Sequence, residues 1–329
     1  MYIVTGIFKA NNPYNNFLLF AYALFLKFPL FLYPAKPVPQ PSDGMLYRSF
    51  IEWMTGISGN FPIVFSFVCF GLLLLQAIGF NKMINDHRLM AKPNYLTGMS
   101  YLLITSLFSE WFVLSAALIS STIIIWVWSK LCTLHNNNSP KTTIYNIGLI
   151  VSTASFIYQP ALLFIVLFII GLAITRPFII NEWLIGGMGI ITPFYFFGAW
   201  LFLTQNWKTF SLPSVTVSFP VFYETRWALF TIILLLFILM TGIFFIQNNM
   251  RRQIVQTRKS WQLIYLYALI AAYIPFLNAS HSFNNWILFA VPASLLTAGA
   301  FFYPDKKWFP LLMHWSLVGI AIAIGYFVR

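Results

Sequence analysis

The sequence predicts an all-α fold: a polytopic transmembrane bundle of about eleven helices, forming a single integral membrane domain over residues 1–329. Three observations predict it. Hydrophobic residues make up 60% of the chain and charged residues only 8%, whereas a soluble domain carries about 25% charged residues. The apolar residues are gathered into long runs. Lysine and arginine concentrate in alternate links between those runs.

A spanning helix needs about 20 apolar residues, fewer where it is partly re-entrant. The candidate spans are 17–33, 61–80, 96–108, 112–128, 145–158, 161–174, 183–203, 227–246, 263–277, 286–303 and 309–328. The third, fifth and sixth are short, and the last two of these form a hairpin broken at Tyr158-Gln159-Pro160. With the N-terminus cytoplasmic, the inner segments hold Lys9, Lys82, Arg88, Lys92, Lys130, Lys141, Arg176, Arg251, Arg252, Arg258, Lys259, Lys306 and Lys307. The outer loops hold Lys36, Arg48, Lys208 and Arg226. This bias sets the orientation expected for a multi-spanning chain.

Two outer loops have some length. Residues 34–60 open with Pro34, Pro37, Pro39 and Pro41, an extended stretch. Residues 45–55 follow, with Leu46, Phe50, Trp53 and Met54 at helical spacing. That spacing predicts a short helix lying in the membrane interface, too short and too polar to span. Arg48 and Glu52, four apart, are placed to pair, with Ser42 or Asp43 as the N-cap. The second loop is 204–226. Gly186-Gly187-Met188-Gly189 permits close helix packing.

Other function classes are excluded or disfavoured by what the sequence lacks. The net charge of +12 is spread between apolar runs rather than collected in a basic domain, so it reads as topology signal and lipid contact, not nucleic-acid binding. Cys69 and Cys132 make no disulfide framework or metal knuckle. No HExxH, CxxC, Walker A or GxGxxG pattern is present, and the four histidines are divided between sides, so no metal and no cofactor is expected. The polar start of the chain does not read as a cleavable signal.

Few polar groups sit where they are costly. Lys27 lies about 15 Å along the first span. An ammonium at helix centre costs about 2.5–3.5 kcal/mol on insertion scales. Two readings stay open: Lys27 holds a phosphate or a partner inside the bundle, or it snorkels outward past Pro29. Glu110, in a short outer turn, is either its counter-ion or a helix-terminal acid. Asp43 is either a cap or a general base held over a lipid substrate. Arg48 and Arg226 join Lys27 as candidate phosphate or lipid ligands. Arg176 and Glu182 are placed to pair.

Two resemblances bear on function. Leu26-Lys27-Phe28-Pro29, Asp43-Gly44-Met45-Leu46-Tyr47-Arg48, the stretch 76–90, Pro93-Asn94-Tyr95-Leu96, Arg176-Pro177-Phe178 and Glu182-Trp183 resemble an uncharacterised family of multi-spanning inner-membrane proteins from the Bacteroidota. That resemblance implies a bacterial inner-membrane location and no chemistry. A first span followed by an outer acidic residue and an interfacial helix, with the apolar hairpin from Gly148-Leu149-Ile150 to Tyr158-Gln159-Pro160-Ala161-Leu162-Leu163, resembles the GT-C superfamily of membrane glycosyltransferases. It implies a polyprenyl-phosphate sugar donor and a catalytic carboxylate, for which Asp43 is the match; the usual neighbouring acid is replaced by Gly44. The expectation that follows is a non-catalytic membrane subunit or scaffold for a partner protein. The alternatives are a GT-C-like transferase or handler of lipid-linked sugars, and a lipid transporter or flippase. Each has a phospholipid or polyprenyl lipid, or another membrane subunit, as its partner.

Overall fold

The computed structural model describes residues 4–59, 61–137, 139–205, 217–218, 226–250, 253–277, 283–306 and 308–327. Among these residues the chain is entirely helical apart from loops and two isolated bridges. The described residues form fourteen α-helices, so the expected count of about eleven does not hold. In order they are α1 Val4–Lys9, α2 Asn15–Lys27, α3 Pro29–Leu32, α4 Met45–Ser58, α5 Ile63–Asp86, α6 Leu96–Ile104, α7 Ala116–Thr133, α8 Pro140–Ser155, α9 Phe164–Thr175, α10 Ile180–Leu203, α11 Arg226–Met250, α12 Val255–Tyr273, α13 Ile287–Phe302 and α14 Trp308–Phe327.

The discrepancy has physical causes. Proline at 29 lacks a backbone N–H, and the first apolar run divides there into α2 and α3. Val4–Lys9 adds a short helix before it, and α4 is the helix foreseen in the proline-rich loop, extended to Ser58. Among the described residues six segments are long and apolar enough to cross a membrane: Ile63–Asp86, Ala116–Thr133, Ile180–Leu203, Trp227–Met250, Phe283–Phe302 and Trp308–Tyr326.

Two of the shorter helices, α6 and α13, are enclosed by protein rather than matched to the thickness of lipid. All nine residues of α6 are buried, and in α13 every residue except Phe289 is buried. These two helices pack on each other at the centre, with α2, α5, α7, α11, α12 and α14 around them. Because protein surrounds α6, it carries Thr97, Ser100 and Tyr101 without presenting them to hydrocarbon. By contrast α10 is an outer helix. It is seated on α8 through Gly189, where a Cβ would come within 2.4 Å of the Tyr145 carbonyl oxygen, while Leu184, Met188, Ile191 and Tyr195 stay exposed. Large exposed apolar side chains recur along α2, α10, α11 and α14, a surface that water does not tolerate over such an extent.

The loops sort to two ends. At one, the Lys9 ammonium donates to the Phe302 carbonyl (2.6 Å), Trp261 and Gln253 both donate to the Leu89 carbonyl, and Arg176 pairs with Glu182 at 2.8 Å while also donating to the Asn137 carbonyl. At the other, Asp43 meets Tyr158, Trp111 donates to the Phe283 carbonyl and Ser218 to the Phe276 carbonyl. The residues of the first group lie in or beside the expected inner segments, and those of the second in the expected outer loops, except Tyr158 and Phe276, which fall at the ends of the spans 145–158 and 263–277.

Candidate functional site

The site forms where the loop before α4 returns to the break after α8. Asp43 and Tyr158 make an isolated antiparallel bridge. Around it the Gln159 N–H donates to the Ser42 carbonyl (3.0 Å), Gly44 N–H to Ile157 carbonyl (2.8 Å) and Leu46 N–H to Phe156 carbonyl (2.9 Å). Gly44 has ordinary extended angles, φ −77° and ψ 166°. It is required for a different reason: a Cβ there would lie 2.1 Å from the Phe156 oxygen. Glycine at position 44 is thus a packing necessity of this junction.

These contacts wall a polar cavity of about 330 Å³. Asp43, Tyr158, Glu110 and Lys36 line it, together with Asn284, Asn285 and the start of α7. Tyr158 is 1% exposed, and its hydroxyl has no hydrogen-bond partner among the described residues. A buried, unanswered hydroxyl costs about 1–3 kcal/mol, and Tyr158 is one of several such groups among the described residues. Ser115 caps α7, its Oγ accepting from the Leu118 N–H at 3.2 Å. The next two residues, Ala116 and Ala117, line the cavity. First-turn N–H groups have no acceptor inside their own helix and favour anions.

Asp43 is 5% exposed, and one carboxylate oxygen accepts from the Gln40 N–H at 2.7 Å. Burial raises its pKa; the Gln40 bond and the nearby Arg48 guanidinium work the other way. Burial likewise raises Glu110, against the backbone N–H groups of Phe283 and Asn284. Glu110 is held in place at those amides, with Phe108 stacked on Phe283 at 4.5 Å. It therefore caps the 3-10 turn Phe283–Trp286 that leads into α13. Of its two expected roles, the helix-terminal one has a geometric basis.

The other predicted residues are dispersed. Lys27 is 0% exposed and points into the bundle, donating to the Thr105 carbonyl at the end of α6 (2.6 Å) with its ammonium 4.6 Å from the centre of the Phe112 ring. Its partners are thus a backbone carbonyl, one of the groups that desolvation called for, and a ring; Glu110, the candidate counter-ion, is not among its hydrogen-bond partners. A cation on the carbonyl end of a helix is favourable in itself. Of the remaining candidate counter-ions, Asp43 lies in the cavity and Glu224 lies outside the described residues. Arg48 donates to the Gln40 carbonyl (3.2 Å) in place of the foreseen pairing with Glu52, so it braces the Asp43 loop. Neither Ser42 nor Asp43 caps α4; the N-cap is Gly44, without a side-chain bond. Arg226 opens α11, and its side chain lies outside the described residues.

Sequence reasoning singled out Asp43 and Glu110 but not their neighbours Lys36, Ser115, Tyr158 and Asn284 as site residues. Ser115 before an apolar run is a readable N-cap signal. Nothing local distinguishes Lys36 or Asn284, which reach the site only through tertiary packing. Among the described residues no three His, Cys, Asp or Glu side chains gather as metal ligands. No family model matches the chain, nor does any curated protein or solved structure, so the arguments for a function rest on the geometry of this cavity.

Proposed function

We propose that the chain is a bacterial inner-membrane protein, N-terminus cytoplasmic, that handles a phosphate-bearing lipid-linked glycosyl substrate at its outer face. One observation carries the reading. Asp43, Lys36, Tyr158 and the start of α7 line a single cavity. The α7 amides and Lys36 suit a phosphate. Asp43 suits the role of base. In a transfer step the acceptor hydroxyl gives its proton to Asp43 and bonds to the sugar carbon. The bond from that carbon to the phosphate oxygen breaks, and the phosphate keeps the electron pair beside the α7 amides.

The test begins with the protein purified in mild detergent and mass spectrometry of what accompanies it. A glycosylated polyprenyl phosphate retained by wild type and by Asp43→Asn, with its sugar transferred only by wild type, is the expected result. Absence of any polyprenyl-phosphate lipid from the purified protein would sink the proposal. For orientation, cysteines at Ser139 and Thr204 should be labelled from opposite sides of the membrane, Thr204 from outside.

The subunit reading keeps one observation of its own, the exposed apolar face of α10 beside its seat on α8. A stoichiometric second protein in the same purification, lost on Met188→Lys, would favour it. A flippase reading draws on a wet central path at Lys27, and Lys27 is closed in against Thr105 and Phe112.

A further inference from the structure

A second cavity, about 600 Å³, opens between α11 and α14 at the Lys9 end of the molecule. Its walls are hydrocarbon and aromatic: Met240 and Phe244 from α11, Trp308 and Phe309 from α14. The polar wall atom of Thr241 is already engaged, its hydroxyl donating to the Ile238 carbonyl at 2.8 Å. The walls therefore offer a ligand dispersion contact and little else. The cleft is closed at one end by the link from α13 to α14, which contributes Asp305 and Lys306.

That rim carries Asp305 and Lys306, with further basic charge behind it. Asp305 acts attractively on Lys9, whose ammonium is fixed on the Phe302 carbonyl, and Lys92 lies near enough to repel Lys9. Three lysines against one carboxylate leave this end of the cleft net positive. Trp308, 59% exposed, stands at the same level, the place an indole takes between headgroups and acyl chains. Size also selects the occupant. Ligand pockets run to about 300–1,000 Å³, whereas a packed helix with its side chains is about 10 Å across and needs a groove open along its length.

We propose that this cleft holds an acyl chain of an anionic glycerophospholipid, with the lipid phosphate on Lys306. The apolar walls take the chain, the lysine-rich rim takes the charge, and Trp308 sits at the boundary between them. This lipid is a resident of the opposite end of the molecule from Asp43 and does not depend on the transfer reading.

The test is native mass spectrometry of the full-length protein exchanged into an equimolar mixture of phosphatidylglycerol and phosphatidylethanolamine. Wild type is expected to retain phosphatidylglycerol preferentially. Lys306→Gln, on an exposed link, should reduce that preference about fivefold, the factor for one basic residue near a lipid surface. Thr241→Trp fills the cleft and should remove the retained lipid of either kind. Equal retention of both lipids by wild type overturns the proposal, and so does a phosphatidylglycerol preference unchanged in Lys306→Gln. Disulfide-linked dimers through Met240→Cys would overturn it by placing a second copy in the cleft. Should Thr241→Trp fail to fold, Lys306→Gln decides alone.

Discussion

Gly44→Ala tests whether the Asp43 loop is held by close backbone approach. The added Cβ would stand 2.1 Å from the Phe156 oxygen, 2.3 Å from its carbonyl carbon and 2.9 Å from the Ile157 nitrogen. All three are backbone atoms, so no side-chain rotation relieves the overlap, and the strands must part by more than about 1 Å. That separation breaks the Gly44 N–H to Ile157 and Leu46 N–H to Phe156 bonds. Each contributes about 1 kcal/mol, with a further cost for any group left buried and unpaired, so the expected loss is roughly 2–4 kcal/mol. Backbone strain does not enter, because φ at Gly44 suits alanine. Gly56→Ala is the control: it lies inside α4 with nothing within 4 Å of its Cβ position, and replacing a helical glycine should stabilise by about 0.5–1 kcal/mol. Unfolding titrations in mild detergent, followed by tryptophan fluorescence, measure both. If Gly44→Ala is as stable as wild type, or gains as much as Gly56→Ala, the junction is not built as described.

Three further outcomes follow from the same geometry. Glu110→Ala removes the acceptor of the Phe283 and Asn284 N–H groups and should cost about 1–3 kcal/mol, with Glu110→Gln recovering part; equal stability of all three proteins by the same titration would refute the capping role. Burial raises the Asp43 pKa, so its protonated form is favoured by folding, and its contribution to stability is present at low pH and lost as pH rises through that raised pKa. Activity needing ionised Asp43 runs the other way, and its acidic limb should lie above the ordinary carboxylate range and move further up in Arg48→Gln, since Arg48 holds it down; a limb unmoved by that variant would contradict the coupling. Lys27→Met loses a charged hydrogen bond and a ring contact but also the cost of burying an ammonium, so its stability should stay within about 2 kcal/mol of wild type; Lys27→Glu, which sets a carboxylate against the Thr105 carbonyl, should melt far lower, and similar melting of the two variants would show that Lys27 is not enclosed.

Composition and hydropathy determined the class of this protein by themselves. A chain with so few charges and so many apolar runs has too little polar surface to face water on every side, and helices satisfy their backbone within one segment. The proline at 29, the helix after Asp43-Gly44 and the pairing of Arg176 with Glu182 were legible for the same reason: their causes lie within a few residues of one another. The helix count was not, because hydropathy registers how apolar a run is and not whether protein or lipid surrounds it. Residues 96–108 read as a short span, and within them Leu96–Ile104 is a fully enclosed central helix. The candidate site was half legible. Asp43 and Glu110 stood out because carboxylates are scarce, but the groups that give them a setting come from residues 36, 115, 158 and 284, which are far apart in sequence. Lys27 shows the limit most clearly. Desolvation required a partner for it, and a carboxylate, a backbone carbonyl, water or a bound phosphate would each answer. The fold decided which by bringing the carbonyl end of α6 within 2.6 Å, and a particular backbone carbonyl, present at every residue, leaves no mark in a sequence.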